Sequence, residues 1–426
     1  MFDVKPSIAL PDLPFADRTL ANGLRVVTVA DPRSPTVAIN VGYHVGGKDD
    51  PPGRSGFAHL FEHLMFKGTP TSGPETIDRL TEDVGGYNNA FTTEDLTNYY
   101  EVIPANYLET LLWAEADRLA HLSITDENFA TERDVVIGEY DQHILADPYG
   151  MLDELVNQEA FRVHPYGRGV IGNPDQLRAS SLADVIAFHD TYYRPDNAVL
   201  VVVGDFDPDR TAAWIDDYFG PIERPRAPIP RVAVTEPAQT QARRYVHHAT
   251  GAPLPALELA FRIPTASDPD APALDMVETL LGSGKSSRLY EALVYREQIA
   301  SYVGATAEFR ADDGLFHVRA VLNAGRTVDE ARAAIARELA RIGTEPLEPG
   351  ELEKAKTLVF TSLARSRQTP SGVALTLLRA AILRGSPAAA NTDTAGYAAV
   401  TDEDVHRVAR ATFTERNTLT IEYLPA

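Results

Sequence analysis

The chain has 426 residues, too many for one ordinary core and enough for about two or three at roughly 150 residues per domain. Its 44% apolar and 23% charged content is that of a soluble globular protein, and no apolar run reaches the roughly 18 residues of a membrane span. With no cysteine, disulfides, iron–sulfur clusters and thiolate metal sites are excluded, so any metal must be held by His, Asp or Glu; a net charge of −22 repels phosphate and sets nucleic acid aside as a partner.

In chain order, "MFDVKPSIALPDLP" has no basic start followed by an apolar stretch. The expectation is a soluble chain without signal peptide or membrane contact, its compartment open. Residues 19–47 read as strands, with an Asn22-Gly23 turn signal inside "TLANGLRVVTVA" and then "TVAINVGYHVGG". "FAHLFEHLMFKGT" (57–69) reads as a helix, as does "PETIDRLTEDVGG", and "YNNAFTTEDLTNYYEV" alternates like strand. Residues 105–122 and about 126–145 read as helices, the second capped by Thr125 or Asp126. "NAVLVVVGDF" is a buried strand, and the Pro-rich "GPIERPRAPIPRVAVTEPAQTQA" is a linker.

The second half repeats the first. "DVIAFHDTYYRPDNAVLVVV" (184–203) overlies "DVHRVARATFTERNTLTIEY" (404–423) at a shift of 220, and "FAHLFEHLMFKG" (57–68) overlies "ALDMVETLLGSG" (273–284) at a shift of 216. Two nearly equal shifts at opposite ends of the unit imply a duplicated domain of about 200 residues. The fold class is therefore α+β in two tandem homologous domains, each a mainly antiparallel sheet with helices packed on one face. The expected boundaries are 1–218, a linker at 219–241, and 242–426.

The helix at 57–69 poses a physical problem. His59, Glu62 and His63 sit among Phe57, Leu60, Phe61, Leu64, Met65 and Phe66, where polar groups are costly unless paired or bound to a metal. The aligned residues in the repeat are Asp275, Glu278 and Thr279, so the fold can dispense with the histidines. At about 100° per residue, His59 and His63 lie one turn apart on one face, able to grip one ion. Glu62 lies to the side, where its carboxylate reaches a water on that ion and can act as general base. This is His-x-x-Glu-His, the reverse of the commoner His-Glu-x-x-His helix.

A catalytic zinc takes three protein ligands and keeps one position open. "TERDVVIGEYDQH" (131–143) places Glu132 and Glu139 seven residues apart on one face. Glu139 as third ligand with Glu132 behind the site is a consistent assignment, and His143 is a rival ligand. His44, His121 and His164 read as structural or surface residues. Two other readings are weaker. "LLGSGKSSR" (280–288) has Thr279 where a phosphate-binding loop needs its first glycine. A non-catalytic assembly protein would not need every position of the metal site intact, as it is here.

At this point the sequence resembles the pitrilysin- or insulinase-like M16 metallopeptidases, a family that includes mitochondrial processing peptidases. The resemblance rests on "GFAHLFEHLMFKGT" (56–69), the 75 residues between His63 and Glu139, "ATERDVVIGEY" (130–140), "GGYNNAFTTEDLTNYY" (85–100), "HPYGRGVIGNPDQL" (164–177) and "GSGKSSRLYEAL" (282–293). It implies one zinc ion per chain on His59, His63 and Glu139, with Glu62 as base and Glu132 supporting the site. It also implies that Asn89-Ala90 lies along a peptide substrate beside an edge strand. Arg296 and Tyr302 in "YREQIASYVGA" (295–305) match an Arg–Tyr pair that holds substrate, at a spacing one residue shorter than usual. Because two such domain pairs close like a clamshell around an unfolded peptide, a second M16-like chain is implied, as a homodimer or a heterodimer. The function implied is a zinc-dependent endopeptidase for short or unfolded peptides.

Overall fold

The computed structural model describes residues 10–426, so the start of the chain, read above as lacking a signal peptide, lies outside the described residues up to residue 9. The strands of the first half are β1 (Ala16–Thr19), β2 (Arg25–Ala30), β3 (Thr36–Tyr43), β4 (Tyr87–Thr92), β5 (Thr97–Pro104) and β6 (Ala198–Gly204). Its helices are α1 (Phe57–Leu64), α2 (Thr76–Glu82), α3 (Leu108–His121), α4 (Asp126–Tyr140), α5 (Met151–Ala160), α6 (Pro174–Arg178), α7 (Leu182–Tyr192) and α8 (Pro208–Phe219). The second half holds β7 (Arg243–Ala249), β8 (Ala256–Ile263), β9 (Ala300–Glu308), β10 (Gly314–Leu322) and β11 (Thr418–Pro425). Its helices are α9 (Ala271–Gly282), α10 (Val328–Thr344), α11 (Glu351–Ser366), α12 (Pro370–Leu383), α13 (Ala389–Ala399) and α14 (Asp402–Thr412). No helix or strand lies between Phe219 and Arg243, and no described helix is long and apolar enough to cross a membrane.

The two sheets have one topology. The first runs β1-β2-β6-β3-β5-β4 and the second β7-β11-β8-β10-β9. Apart from the added edge strand β1, exchanging β2, β6, β3, β5 and β4 for β7, β11, β8, β10 and β9 turns one order into the other, which is the duplication seen as structure. Both sheets are mainly antiparallel, and each contains one parallel pair, β2 with β6 and β7 with β11.

Each half packs its own helices on one sheet face. Leu200 and Val202 of β6 join Phe57, Leu60 and Phe61 of α1 and Leu112 of α3 in one core. The opposite face is covered by a helix lent from the other half. Val199, Val201 and Val203 of β6 pack with Leu377 and Leu378 of α12. Leu152, Leu155 and Val156 of α5 pack with Ala260, Leu419 and Ile421 of the second sheet. Met151 and Pro370 begin these two helices 219 residues apart, so the exchange obeys the repeat. It also explains the unbroken apolar run of β6: a strand buried on both faces has no polar side to alternate.

A polar seam joins the halves. Lys48 lies 2.7 Å from Asp95 and 3.2 Å from Asp312 of the β9–β10 turn, and Arg310 of that turn lies 2.9 Å from Glu94.

Candidate active site

α1 is anchored by its apolar face. Phe57, Leu60, Phe61 and Leu64 are fully buried, Phe61 stacks on Phe188 at 5.6 Å, and the Tyr99 hydroxyl donates to the Phe61 carbonyl at 2.9 Å. The helix ends at Leu64, earlier than the apolar pattern suggests, as the chain turns towards Gly68, which has φ +93°. His59, Glu62 and His63 all fall within the helical residues and take the remaining, half-buried side.

α4 lies against α1 and supplies the other acids. It opens on a capping box: Thr125 Oγ1 accepts from the Asn128 N–H at 3.2 Å, and Asn128 Oδ1 accepts from the Thr125 N–H at 2.7 Å. Seven residues apart, Glu132 and Glu139 share the face turned to α1. Between them Val136 is fully buried, whereas Val135 points to solvent. α4 then loosens into a π-helical turn, Asp141–Leu145, which leaves His143 exposed.

These two helices bring His59, His63 and Glu139 together. Nε2 of His59 and Nε2 of His63 each lie 3.5 Å from Oε2 of Glu139. One donor atom from each residue falls within 4.8 Å of the other two, and among the described residues this is the one such group of His and acidic side chains. The set fits a zinc ion. Bonds of about 2.0–2.2 Å at tetrahedral angles place neighbouring donor atoms about 3.3–3.6 Å apart, and two imidazoles with one carboxylate leave a fourth position open. His143 is not part of the group.

The two histidines sit in different electrostatic surroundings. Burial, with the neighbouring His63 and His143, pushes His59 down to about 4, so its ring is neutral near neutrality. Burial opposes charging His63 too, but its bond to Glu132 and the charges of Glu139 and Glu62 outweigh this and raise it. Glu132 is 6% exposed; burial works to raise its carboxyl, and the bonds from His63 and Lys67 overcome this and lower it. Glu62 is raised chiefly by burial, against the bond from Thr92, whose hydroxyl donates to its Oε2 at 2.7 Å. A carboxylate raised in this way is a better proton acceptor.

The remaining predicted residues are placed as follows. Asn89 and Ala90 lie on β4, one of the two edge strands of the first sheet, whose last residue is Thr92. Arg296 and Tyr302 are in the second half and share no hydrogen bond or ion pair with the cluster. Arg296 donates to the Glu291 carbonyl in its own turn at 3.4 Å. Tyr302 is exposed in a pocket of about 210 Å³ with Thr306, Glu308, His317 and Arg319. In α9, at the positions of the α1 trio, Asp275 bonds the Tyr397 hydroxyl and Glu278 accepts from the Ala307 N–H at 2.7 Å. Sequence reasoning missed Thr92 and Lys67. Lys67 carried a signal, since it lies one turn after His63; Thr92 had none, because it reaches Glu62 through the turn of the sheet.

A His–His–Glu cluster beside a raised carboxyl, on one half of a duplicated two-sheet fold, is an arrangement of metallopeptidase type. Comparison with known proteins agrees. A family model described as "Insulinase (Peptidase family M16)" matches residues 25–174, and one described as "Peptidase M16 inactive domain" matches residues 180–359. The zinc protease PqqE of Helicobacter pylori is 32% identical over 340 residues, which are 79% of this chain and 76% of that protein. The crystal structure of a protease from Helicobacter pylori superposes with a TM-score of 0.93 at 28% identity, covering 97% of this chain and 99% of the other. The periplasmic protease PqqL of Escherichia coli shares the fold at a TM-score of 0.80 and 20% identity, over 98% of this chain and 48% of that one. The chain belongs to the peptidase M16 family.

Proposed function

We propose that the chain is a zinc-dependent endopeptidase that cleaves short or unfolded peptides, with His59, His63 and Glu139 holding one zinc ion. The observation that carries this reading is the convergence of both histidine Nε2 atoms on one oxygen of Glu139. The name of the PqqE relative, a zinc protease, supports the choice of metal. Bound zinc supplies a Lewis acid that polarises a carbonyl and acidifies water.

The chain's own residues supply the rest. Glu62 takes the proton of the attacking water and returns it to the leaving nitrogen. Thr92 fixes the Glu62 carboxylate from the end of β4. β4 is an edge strand, so Asn89 and Ala90 offer backbone groups to an extended peptide, which is thereby laid past the base. Glu132 sets the His63 ring. Residues 1–218 form the metal-bearing domain, 219–241 the linker and 242–426 the domain without the motif. The working unit is two chains closed as a clamshell, as a homodimer or with a second M16-like chain, with Arg296 and Tyr302 of the second domain holding substrate. That PqqL is about twice as long as its matched region supports this pairing.

The test is metal analysis and peptide cleavage on purified protein, with size measured in parallel. About one zinc per chain is expected, with cleavage lost in Glu62→Gln while the zinc stays. Undiminished cleavage by that variant would sink the mechanism. Activity that appears only when a companion chain is added would select the heterodimer.

A further inference from the structure

The eight residues of α1 carry both histidines and the base, so the start of this helix decides where they point. That start cannot be capped from within. Gly56 stands at the N-cap with φ +101°, and a Cβ there would lie 3.0 Å from the Cα of Gly172 and the carbonyl oxygen of Ile171. Without a cap, the first N–H groups of a helix lack partners.

The partner comes from outside the helix. Oδ2 of Asp50 accepts the N–H of Gly56 at 2.6 Å, and Oδ1 accepts the N–H of Ala58 at 2.9 Å. A carboxylate at this end also suits the positive end of the helix dipole. Asp50 is 2% exposed, and its own backbone is clamped: Arg168 donates to the carbonyl of Asp50 at 2.8 Å and to that of Lys48 at 3.0 Å. Lys48 in turn is tied to Asp312 of the second half.

The two histidines differ in what else holds them. The His63 ring is fixed by Glu132 at 3.3 Å, but Nδ1 of His59 is buried without a partner among the described residues. The aim of His59 therefore depends on the helix backbone, and His59 directly follows Ala58, whose N–H Asp50 holds.

We propose that Asp50 is a positioning residue for the metal site: by holding the amides of Gly56 and Ala58 it fixes the rotation of α1 and aims His59 at the ion. This rests on His59, His63 and Glu139 being the zinc ligands. Zinc affinity, measured by competition with a chromophoric chelator, tests it independently of turnover.

Asp50→Ala is expected to bind zinc roughly tenfold more weakly, the size of a lost helix cap. Asp50→Asn, which keeps one acceptor oxygen, is expected to recover most of this and stay about threefold weak. Thr327→Ala is the control: it removes the cap of α10 in the other half, where Thr327 Oγ1 accepts from the Glu330 N–H at 3.3 Å. It is expected to lower the melting temperature and leave zinc affinity unchanged. Zinc binding by a folded Asp50→Ala within twofold of wild type overturns the proposal, as does an equal loss in Thr327→Ala. Should Asp50→Ala not fold, Asp50→Asn decides, and unchanged affinity there overturns it. A wild-type chain that binds no zinc, or one whose binding survives His63→Ala, overturns the ligand assignment instead.

Discussion

Oε2 of Glu132 lies 3.3 Å from Nδ1 of His63, and Lys67 holds the other oxygen of that carboxylate at 2.9 Å. The carboxylate thus joins two residues one turn apart on the segment that begins with α1, and it fixes the tautomer of the ring. An imidazole that donates Nδ1–H to a carboxylate presents a more basic Nε2 to a metal. Replacing Glu132 with Gln should weaken zinc binding by roughly 10- to 100-fold. Chelator competition measures this, and wild-type affinity would leave Glu132 as a partner of Lys67 alone.

Thr92 reaches Glu62, the proposed base, from the sheet. Its hydroxyl is 2.7 Å from Oε2 of Glu62, so it holds one carboxylate oxygen while the other is left for a proton. Thr92→Val keeps the shape and removes the donor. The expected result is a kcat lower by about tenfold with zinc content unchanged, the size of one hydrogen bond to a charged group. Steady-state kinetics alongside metal analysis separates this from loss of metal.

What was legible in the sequence was what local periodicity encodes. The spacing of His59 and His63 gave one helical face with Glu62 beside it, Thr125 or Asp126 marked the start of α4, and Glu132 with Glu139 gave the facing helix. The shifts of 216 and 220 gave the duplication, because equivalent strands and helices keep their apolar positions. The partners that reach across the fold were not legible. Asp50 meets α1 through a loop, Thr92 meets Glu62 through a strand end, and Leu378 meets Gly42 from the other half of the molecule. The apolar residues of α12 announce a buried helix but not that the surface burying it belongs to the other half.

Stability should fall on the alkaline side because of one histidine. His317 lies 2.8 Å from Glu258 and 3.2 Å from Glu308. Burial disfavours its charge, yet the two carboxylates outweigh burial and raise it from 6.5 to about 9. A raised value means that the folded state holds the proton more tightly than the unfolded chain. The stabilisation is therefore complete below the unfolded value of 6.5 and is lost as pH rises through 9, a change of about 3 kcal/mol. Urea unfolding at pH 6 and at pH 10 should show this fall, and His317→Gln should flatten it. An equal fall in the variant would assign the alkaline loss to other groups.

The reciprocal exchange of α5 and α12 makes a last, stricter prediction. A Cβ added to Gly42 on β3 would lie 2.6 Å from Cδ1 of Leu378 on α12, a residue with no exposed surface. The absence of a side chain at 42 and the leucine at 378 are thus two sides of one contact between the halves. Gly42→Ala forces the leucine to move and should cost about 1–3 kcal/mol. Leu378→Ala leaves a cavity and should cost about 2–5 kcal/mol. In the double variant the new methyl enters the space the leucine left, so the combined loss should fall short of the sum by about 1 kcal/mol or more. Urea unfolding midpoints of the four proteins close the cycle. Strict additivity would mean that Leu378 of α12 does not seat against Gly42 of β3.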